Sequence, residues 1–563
     1  MNAGQLLQHY ERIADAPDAI GQLRKFILDL AVRGKLVPQD SKDEPASALL
    51  KRIAAAKARR GISQDAFPLT QEQIPFLLPP GWSWSNIGGV CSKTGSGSTP
   101  RGGQAAYKDA GIPFLRSQNV YDDGLHLDDV AYIDPATHAR MAGTAVLAKD
   151  LLLNITGGSI GRCCRVPDVF GEANVSQHVA IIRAAIPELA DYLHRLVLSP
   201  HFQSFVVDEQ TGAGRGGLPK NRMDRIPVAL PPLAEQHRIV VKVDELMALC
   251  DRLEAARTHR EAARDRLAAA SLARLNEPHP ETFHEDAPFA LDALPALTAR
   301  PDQIKQLRQT FLNLAVRGKL VPQDASEKVA AADEWDGDNA LLDLPPGWRY
   351  ARLESLLAED TRNGYSRRPD EVADGTPILR ISAGTIRRDG VVAEEEYKRI
   401  SGIDAETRAQ YALKSGDLLA CRFNGNKSFV GRLTIFQNYL GMRPIYPDKL
   451  IRVRVALQLV VPEYLRLAGD SDLVRNQVES LCATTVGNWG ISATNLKEVR
   501  FPVPPLDEQQ RIVAKVDALL AVCDRLQASL GAGEGHCRRL LDALLHKAMV
   551  QKTQRSTNAT TTA

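Results

Sequence analysis

The sequence predicts a mixed α/β (α+β) fold in which two sheet-and-helix domains alternate with two long helices in an internal repeat. Three observations predict it. First, residues 23–40 recur nearly unchanged at 307–324. Leu78-Pro79-Pro80-Gly81-Trp82 recurs as Leu344-Pro345-Pro346-Gly347-Trp348, and Pro231-Pro232-Leu233-Ala234-Glu235-Gln236 as Pro504-Pro505-Leu506-Asp507-Glu508-Gln509. The offsets are 284, 266 and 273 positions, so the duplicated half carries two internal indels. Repeats of this length are domain-sized copies rather than solenoid units of ~20–50 residues. Second, the stretches between each Gly-Trp and each Pro-Pro-Leu match poorly, which suggests a constant frame holding two variable inserts. Third, each insert is followed by an apolar stripe of alternating threes and fours, the spacing of a helix-pair seam.

The elements follow in order. Residues 18–33 read as a helix, with Leu23, Phe26, Ile27 and Leu30 at helical spacing and Arg33-Gly34 as its stop. Residues 301–317 copy it, opened by Pro301-Asp302. Residues 41–77 are polar and helical in part, with Leu49, Leu50 and Ile53 on one face. In the first insert, 112–116, 151–155 and 179–182 read as buried strands, and 189–198 and 202–207 as helices. The second repeats that order at 377–380, 416–420 and 450–453, then at 462–467 and 473–481. The stripes are Ile239, Val243, Leu246, Cys250 and Leu253, and Ile512, Val516, Leu519, Cys523 and Leu526. A forty-residue helix would span about 60 Å. Residues 276–300 read as a linker, and 551–563 as a disordered tail.

The expected organisation is a helical frame segment at 1–77, a first domain at 78–232 and a long helix at 233–275. A linker and second frame helix follow at 276–343, then a second domain at 344–505, a distal helix at 506–550 and the tail. Composition is that of a soluble globular protein, with 44% apolar and 25% charged residues and a net charge of +2. The first insert holds 14 basic and 14 acidic residues, the second 23 and 19, so charge alone does not announce a nucleic-acid partner. The eight cysteines form no C-x-x-C pair, and Cys250 and Cys523 take equivalent apolar helix positions. With no apolar signal segment and no run of ~18 apolar residues, a reduced cytoplasmic protein is expected.

Certain motifs carry a resemblance. Each half ends in Pro-Pro-Leu-x-Glu-Gln-x-Arg-Ile-Val before a Leu-rich helix, and each insert opens at Pro-Pro-Gly-Trp. The first insert continues as Thr94-Gly95-Ser96-Gly97-Ser98-Thr99-Pro100 and Gly111-Ile112-Pro113-Phe114-Leu115-Arg116. It ends in Gly216-Gly217-Leu218-Pro219-Lys220 ahead of Ile226-Pro227-Val228. Together these resemble the specificity subunit of type I restriction–modification systems along nearly the whole chain. The second insert departs from the pattern at 361–365 and 487–491. The resemblance implies two target recognition domains, each reading half of a bipartite, asymmetric site in double-stranded DNA. It implies two long antiparallel coiled-coil helices, related by a pseudo-twofold, that fix the gap. It further implies a subunit without an active site that docks two adenine methyltransferase (modification) subunits and the restriction motor-nuclease. S-adenosylmethionine, ATP and Mg then belong to those partners, and no cofactor or metal to this chain.

The residues themselves agree with a non-catalytic role. Neither Pro-Pro-Gly nor Pro-Pro-Leu has the flanking residues of an adenine methyltransferase motif. Gly212-Ala213-Gly214-Arg215-Gly216-Gly217 lacks the Gly-Lys-Ser/Thr of a phosphate loop and reads as a loop near DNA. Base reading takes Arg or Lys for guanine and Asn or Gln for adenine. Candidate contacts in the first insert are Arg101, Gln104, Arg116, Gln118 and Asn119 beside a strand, and Arg215, Lys220 and Arg222 beside the glycine loop. In the second they are Arg362, Asn363, Arg367 and Arg368 in one loop, and Arg422, Asn424, Asn426 and Lys427 in another. Trp489 has two readings, a ring that stacks or wedges and a packed core residue, and the second is the better fit. The frame helices read as protein-binding surfaces. Two other classes stay open: a nuclease or methyltransferase in its own right, and a protein-interaction scaffold that never touches DNA.

Overall fold

The computed structural model describes residues 16, 18–62, 69, 74–102, 106–208, 216–276, 298–324, 326–327, 344–370, 374–380, 397–438, 441–485 and 487–557. The chain divides into two compact units, residues 1–259 with 534–563, and residues 260–533.

The first unit begins with helix α1 (Ala19–Val32), whose stop is Gly34 at φ +64°, and helix α2 (Ala46–Arg59). Strand β1 (Ser83–Asn86) pairs antiparallel with β9 (Pro227–Leu230) at the two ends of the insert. Between them lie β2 (Cys91–Ser96), β3 (Ile112–Leu115), β4 (Ala131–Ile133), β5 (Leu151–Asn154), β6 (Cys163–Arg165), β7 (Asn174–Val175) and β8 (Val179–Ala184). Helices α3 (Ala190–Val197) and α4 (Pro200–Asp208) follow, and α5 (Leu233–Asn276) leaves the domain. The main sheet runs β2-β8-β5-β6, all antiparallel, and a smaller one runs β4-β3-β7.

Both faces of the main sheet are buried. Leu151, Leu153, Ala180 and Ile182 face Leu193, Leu196 and Phe202, while Leu152, Val179 and Ile181 face Leu115, Val146 and Val175. That explains why the central strands read as unbroken apolar runs: a strand alternates sides, and here neither side meets water.

The second unit repeats the plan. Helix α6 (Pro301–Ala315) leads to β10 (Arg349–Arg352), β11 (Leu357–Asn363), β12 (Thr376–Leu379) and β13 (Tyr397–Ile400). Then come β14 (Leu418–Cys421), β15 (Phe423–Asn424), β16 (Leu433–Ile435), β17 (Leu450–Val455), α7 (Pro462–Gly469) and α8 (Asp472–Ser480). Strands β18 (Ala483–Thr485), β19 (Asn488–Gly490) and β20 (Arg500–Val503) precede α9 (Leu506–Thr557). The main sheet runs β11-β17-β14-β16, and β10 pairs with β20. A separate three-stranded sheet runs β15-β19-β18.

The three repeated motifs meet in one joint per unit. Trp82 donates its indole N–H to Glu235 at 3.0 Å, and Trp348 donates to Glu508 at 3.0 Å. Gln236 and Gln509 each donate to the first carbonyl of their Pro-Pro pair, Pro231 and Pro504, at 2.9 Å. The hydroxyls of Tyr192 and Tyr464 donate to the carbonyls of Ala229 at 2.6 Å and Pro502 at 2.7 Å. Arg238 pairs with Asp43 at 2.6 Å, and Arg511 with Glu327. Glu235 and Glu508 are 1% and 2% exposed, and burial raises both carboxyl pKa values.

Three expectations need correction. The helix α9 continues to Thr557, into the segment read as a disordered tail. The stripe on α5 does not simply mark a helix–helix seam: Ile239, Val243, Leu246 and Cys250 cluster with α1, Trp82 and Tyr192, joined by Leu545. Ile512 and Val516 likewise belong to the core that holds Trp348 and Tyr464, while Cys523 and Leu526 cluster with α6 and with Ala268 and Leu272. Alternating threes and fours mark any continuous apolar contact along a helix, whatever lies opposite. Arg362 and Asn363 end strand β11 rather than sitting in a loop. The linker residues 277–297 lie outside the described residues.

Candidate nucleic-acid interface

In each unit one end of the main sheet gathers the polar loops. In the first unit, β2 and β5 end there and β8 begins. Gly97 donates to the carbonyl of Val179 at 2.9 Å and Ser98 to that of Val175 at 3.2 Å. A Cβ on Gly97 would lie 2.0 Å from the Val175 oxygen, so the close approach requires glycine. Thr156 pairs with Gly217, and Leu218 N donates to the carbonyl of Ile155 at 2.9 Å, which brings the end of the glycine loop to the same place. The hydroxyl of Thr156 bonds the exposed ring of His178 at 2.7 Å. Arg162 lies over the ring of Tyr121 at 4.7 Å, and Tyr121 stacks on His126 at 4.2 Å.

Candidates from the sequence fare differently here. Arg101 is exposed in a turn, and Arg222 is exposed on a short helix. Lys220 sits beside Gly95 and pairs with the buried carboxylate of Asp224. Arg116 and Gln118 both bind Asp129, the first at its carbonyl at 2.8 Å and the second at its carboxylate. Asn119 is structural rather than available: it is 1% exposed, accepts from Arg116 N at 3.0 Å and donates to the carbonyl of His126 at 3.0 Å. Gln104 and Arg215 lie outside the described residues. Arg162, Tyr121 and His178 were missed, because nothing in their spacing distinguishes a loop residue from one at the gathered end.

The second unit gathers the equivalent end from β11, β14 and β17. Gly364 donates to the carbonyl of Leu450 at 3.1 Å, and a Cβ there would lie 2.1 Å from the Pro447 oxygen. The segment that departs from the first insert's pattern thus takes the same place with the same close approach. Arg362 lies over the Tyr411 ring at 5.8 Å. Arg367 is held by Asp370 and the carbonyl of Ser401, both at 3.0 Å, while Arg368 is exposed. Arg422 covers one side of Phe423 at 4.7 Å, and the ammonium of Lys449 lies 5.0 Å from that ring. Lys427 lies 4.7 Å over Trp489. Trp489 is half-buried on β19 opposite Asn424, packed against the margin of the core that holds Trp348 and Tyr464. Asn424 accepts from Asn426 N at 2.9 Å, and Asn426 caps a short turn by accepting from Ser428 N at 3.0 Å.

Elsewhere in the same unit arginine is neutralised. Arg454 binds Asp417 at 2.6 Å and Glu359 at 2.7 Å, and Arg452 binds Glu359 at 3.0 Å. In the first unit Arg183 on β8 pairs with the buried Asp150 at 2.7 Å in the same way. Burial pushes the thiols of Cys91 and Cys164 up to about 12 and that of Cys421 up to about 11, away from the reactive thiolate. Among the described residues no group of His, Cys, Asp and Glu could hold a metal ion, and no helix is long and apolar enough to cross a membrane.

Residues 79–261 match the family described as type I restriction modification DNA specificity domain. The chain is 27% identical to the type I restriction enzyme EcoEI specificity subunit of Escherichia coli over 94% of each chain. It is equally 27% identical, over 94% of each, to the EcoAI specificity subunit of the same species. A chain from a structure titled as the basis of complex assembly and conformational transition of the type I R-M system aligns with TM-score 0.50 and 20% identity. That alignment covers 84% of this chain and 99% of the other, and the likeness is one of fold. The resemblance first carried by the doubled motifs therefore extends along nearly the whole sequence.

Proposed function

We infer, from its kinship with the specificity subunits of type I restriction enzymes, that this chain gives a restriction–modification complex its DNA sequence specificity. The observation that carries the reading is the doubled plan. Each unit has the same strand order and the same joint, yet the loops at the gathered sheet end differ. A constant frame with two divergent reading ends suits a bipartite, asymmetric site.

In this reading residues 78–232 and 344–505 are target recognition domains, one per half-site. Arg101, Lys220 and Arg222 in the first, and Arg362, Arg368, Arg422 and Lys427 in the second, approach phosphates and base edges. The helices α5 and α9 pair as an antiparallel coiled coil, related by a pseudo-twofold, whose length sets the gap. Support comes from each unit: Ala268 and Leu272 share a cluster with Cys523, Leu526 and Leu530, and Leu246 and Leu253 share one with Leu545. The frame segments then offer two equivalent docking surfaces to two adenine methyltransferase subunits, and the assembly recruits the restriction motor-nuclease. The chain does no chemistry itself and works in the cytoplasm. S-adenosylmethionine, ATP and Mg act on the partner subunits.

The test is adenine methylation mapping at single-base resolution in cells that express this chain with the methyltransferase of its system. A two-part motif with a fixed gap, lost on deletion of the chain, is the expected result. An unchanged methylome with active methyltransferase would refute the reading. A salt-dependent gel shift of the complex on the mapped duplex separates it from a scaffold that never touches DNA.

A further inference from the structure

The second unit carries a small sheet, β15-β19-β18, that stands beside the main sheet at the gathered end. We propose that this ribbon enters the major groove of the second half-site, with Asn426, Lys427 and Asn488 reading base edges and Trp489 positioning Lys427. The proposal rests on the DNA-specificity reading above and names the reading element of one half.

Four observations carry it. The hairpin of β18 and β19 is the free edge of this three-stranded sheet, with β19 paired on both sides, and a groove about 12 Å wide admits a two-stranded edge about 5 Å across between backbones. Its exposed face is polar: Asn426 and Asn488 are both exposed, and a Cβ on Gly425 would lie 3.7 Å from Asn488 Oδ1. Residue 425 therefore lies at van der Waals distance from the Asn488 amide, next in the chain to Asn426. Asn426 already accepts from Ser428 N, which fixes the orientation of its amide.

The cations here meet rings instead of carboxylates. Among the described residues Lys427, Arg422 and Lys449 show no ion pair, whereas Arg452, Arg454, Arg475 and Lys497 of the same unit all do. An aromatic face holds an ammonium in place but leaves its full charge. A carboxylate would cancel that charge before DNA arrived. Lys427 is therefore aimed and unneutralised, which suits a donor to guanine O6 and N7, while Asn426 and Asn488 carry the donor–acceptor pair that adenine requires.

The experiment uses the full chain in its methyltransferase complex and maps methylation in cells for Asn488→Ala, Lys427→Met, Trp489→Ala and Trp489→Phe. Asn488→Ala and Lys427→Met are expected to relax discrimination by roughly 5- to 150-fold at one or two base pairs of the second half-site. The first half-site and the gap stay as in the wild type. Trp489→Ala should reproduce the Lys427→Met pattern, and Trp489→Phe, which keeps a ring under the ammonium, should restore most of the wild-type motif. A wild type without a bipartite motif would refute the specificity reading itself. A bipartite wild type whose second half is unchanged in both Asn488→Ala and Lys427→Met would overturn the ribbon proposal alone. Uniform loss of methylation across sequences, with normal melting, would also overturn it, by making the ribbon a phosphate contact.

Discussion

Replacing Trp82 or Trp348 by Phe removes one indole N–H from a buried carboxylate and leaves most of the apolar ring. The loss is a hydrogen bond to a charged group, worth about 1.5–3 kcal/mol. The two joints differ in what remains. Glu235 keeps a second donor, Gln39 Nε2 at 3.1 Å, while Glu508 Oε1 has no hydrogen-bond partner among the described residues. The expected cost is therefore near the low end for Trp82→Phe, about 1.5 kcal/mol, and near the high end for Trp348→Phe, about 3 kcal/mol. Burial already holds both carboxyl pKa values above their unfolded level. Ionising them costs stability as pH rises from about 4.3, the unfolded value, through the raised folded value. Loss of a donor to the charged form raises the folded value further, so each deficit is small near pH 4 and full at pH 8. Urea unfolding of the full chain, followed by circular dichroism and by amide exchange in each unit, reads both numbers. Deficits under 0.5 kcal/mol at pH 8, or equal deficits at pH 4 and pH 8, would refute the joint as described.

Other outcomes follow from the same structure. Gly34→Ala should destabilise by more than about 1–2 kcal/mol in thermal melting, the left-handed cost alone, because φ is +64° and its Cβ would lie 2.3 Å from Pro79 Cγ. Gly531→Ala and Gly533→Ala should each stabilise α9 by roughly 0.5–1 kcal/mol, since a Cβ there meets nothing within 4 Å; unchanged helix signal and melting would contradict this. Arg454→Met strips the guanidinium from Asp417, which is 2% exposed, and should cost about 3 kcal/mol at pH 7. Arg454 also holds the Glu359 pKa below its usual value, so that share of stability is present above about pH 4.3 and lost as pH falls through the lowered folded value. The gap between wild type and Arg454→Met should then narrow in acid, and an acid titration of the second unit's unfolding checks it.

Much of the fold was legible in the chain. The repeats, the buried strands 151–155 and 450–453, the helices around 190 and 470 and both long helices all follow from local rules. Period, caps and proline act over a few residues, and duplication shows in the letters themselves. The short strands β6, β7 and β18 were not legible, since two or three residues carry too little pattern to separate from a turn.

The candidate site was legible only as residue types. Sequence set which loops hold Arg, Lys and Asn. It could not tell Asn119, spent inside its own turn, from Asn488, exposed on a ribbon, because both are asparagines among polar neighbours. Nor could it tell Arg454, cancelled by two carboxylates, from Lys427, lodged on a ring. Those differences come from partners 11 to 95 positions away: Asp129 for Gln118, Glu359 for Arg454, Trp489 for Lys427. The sequence by itself determined the doubled scaffold, because backbone conformation and burial pattern are local. Only the tertiary structure decided which side chains are neutralised, buried or left facing outward, because a side chain's charge and reach depend on what the fold packs beside it.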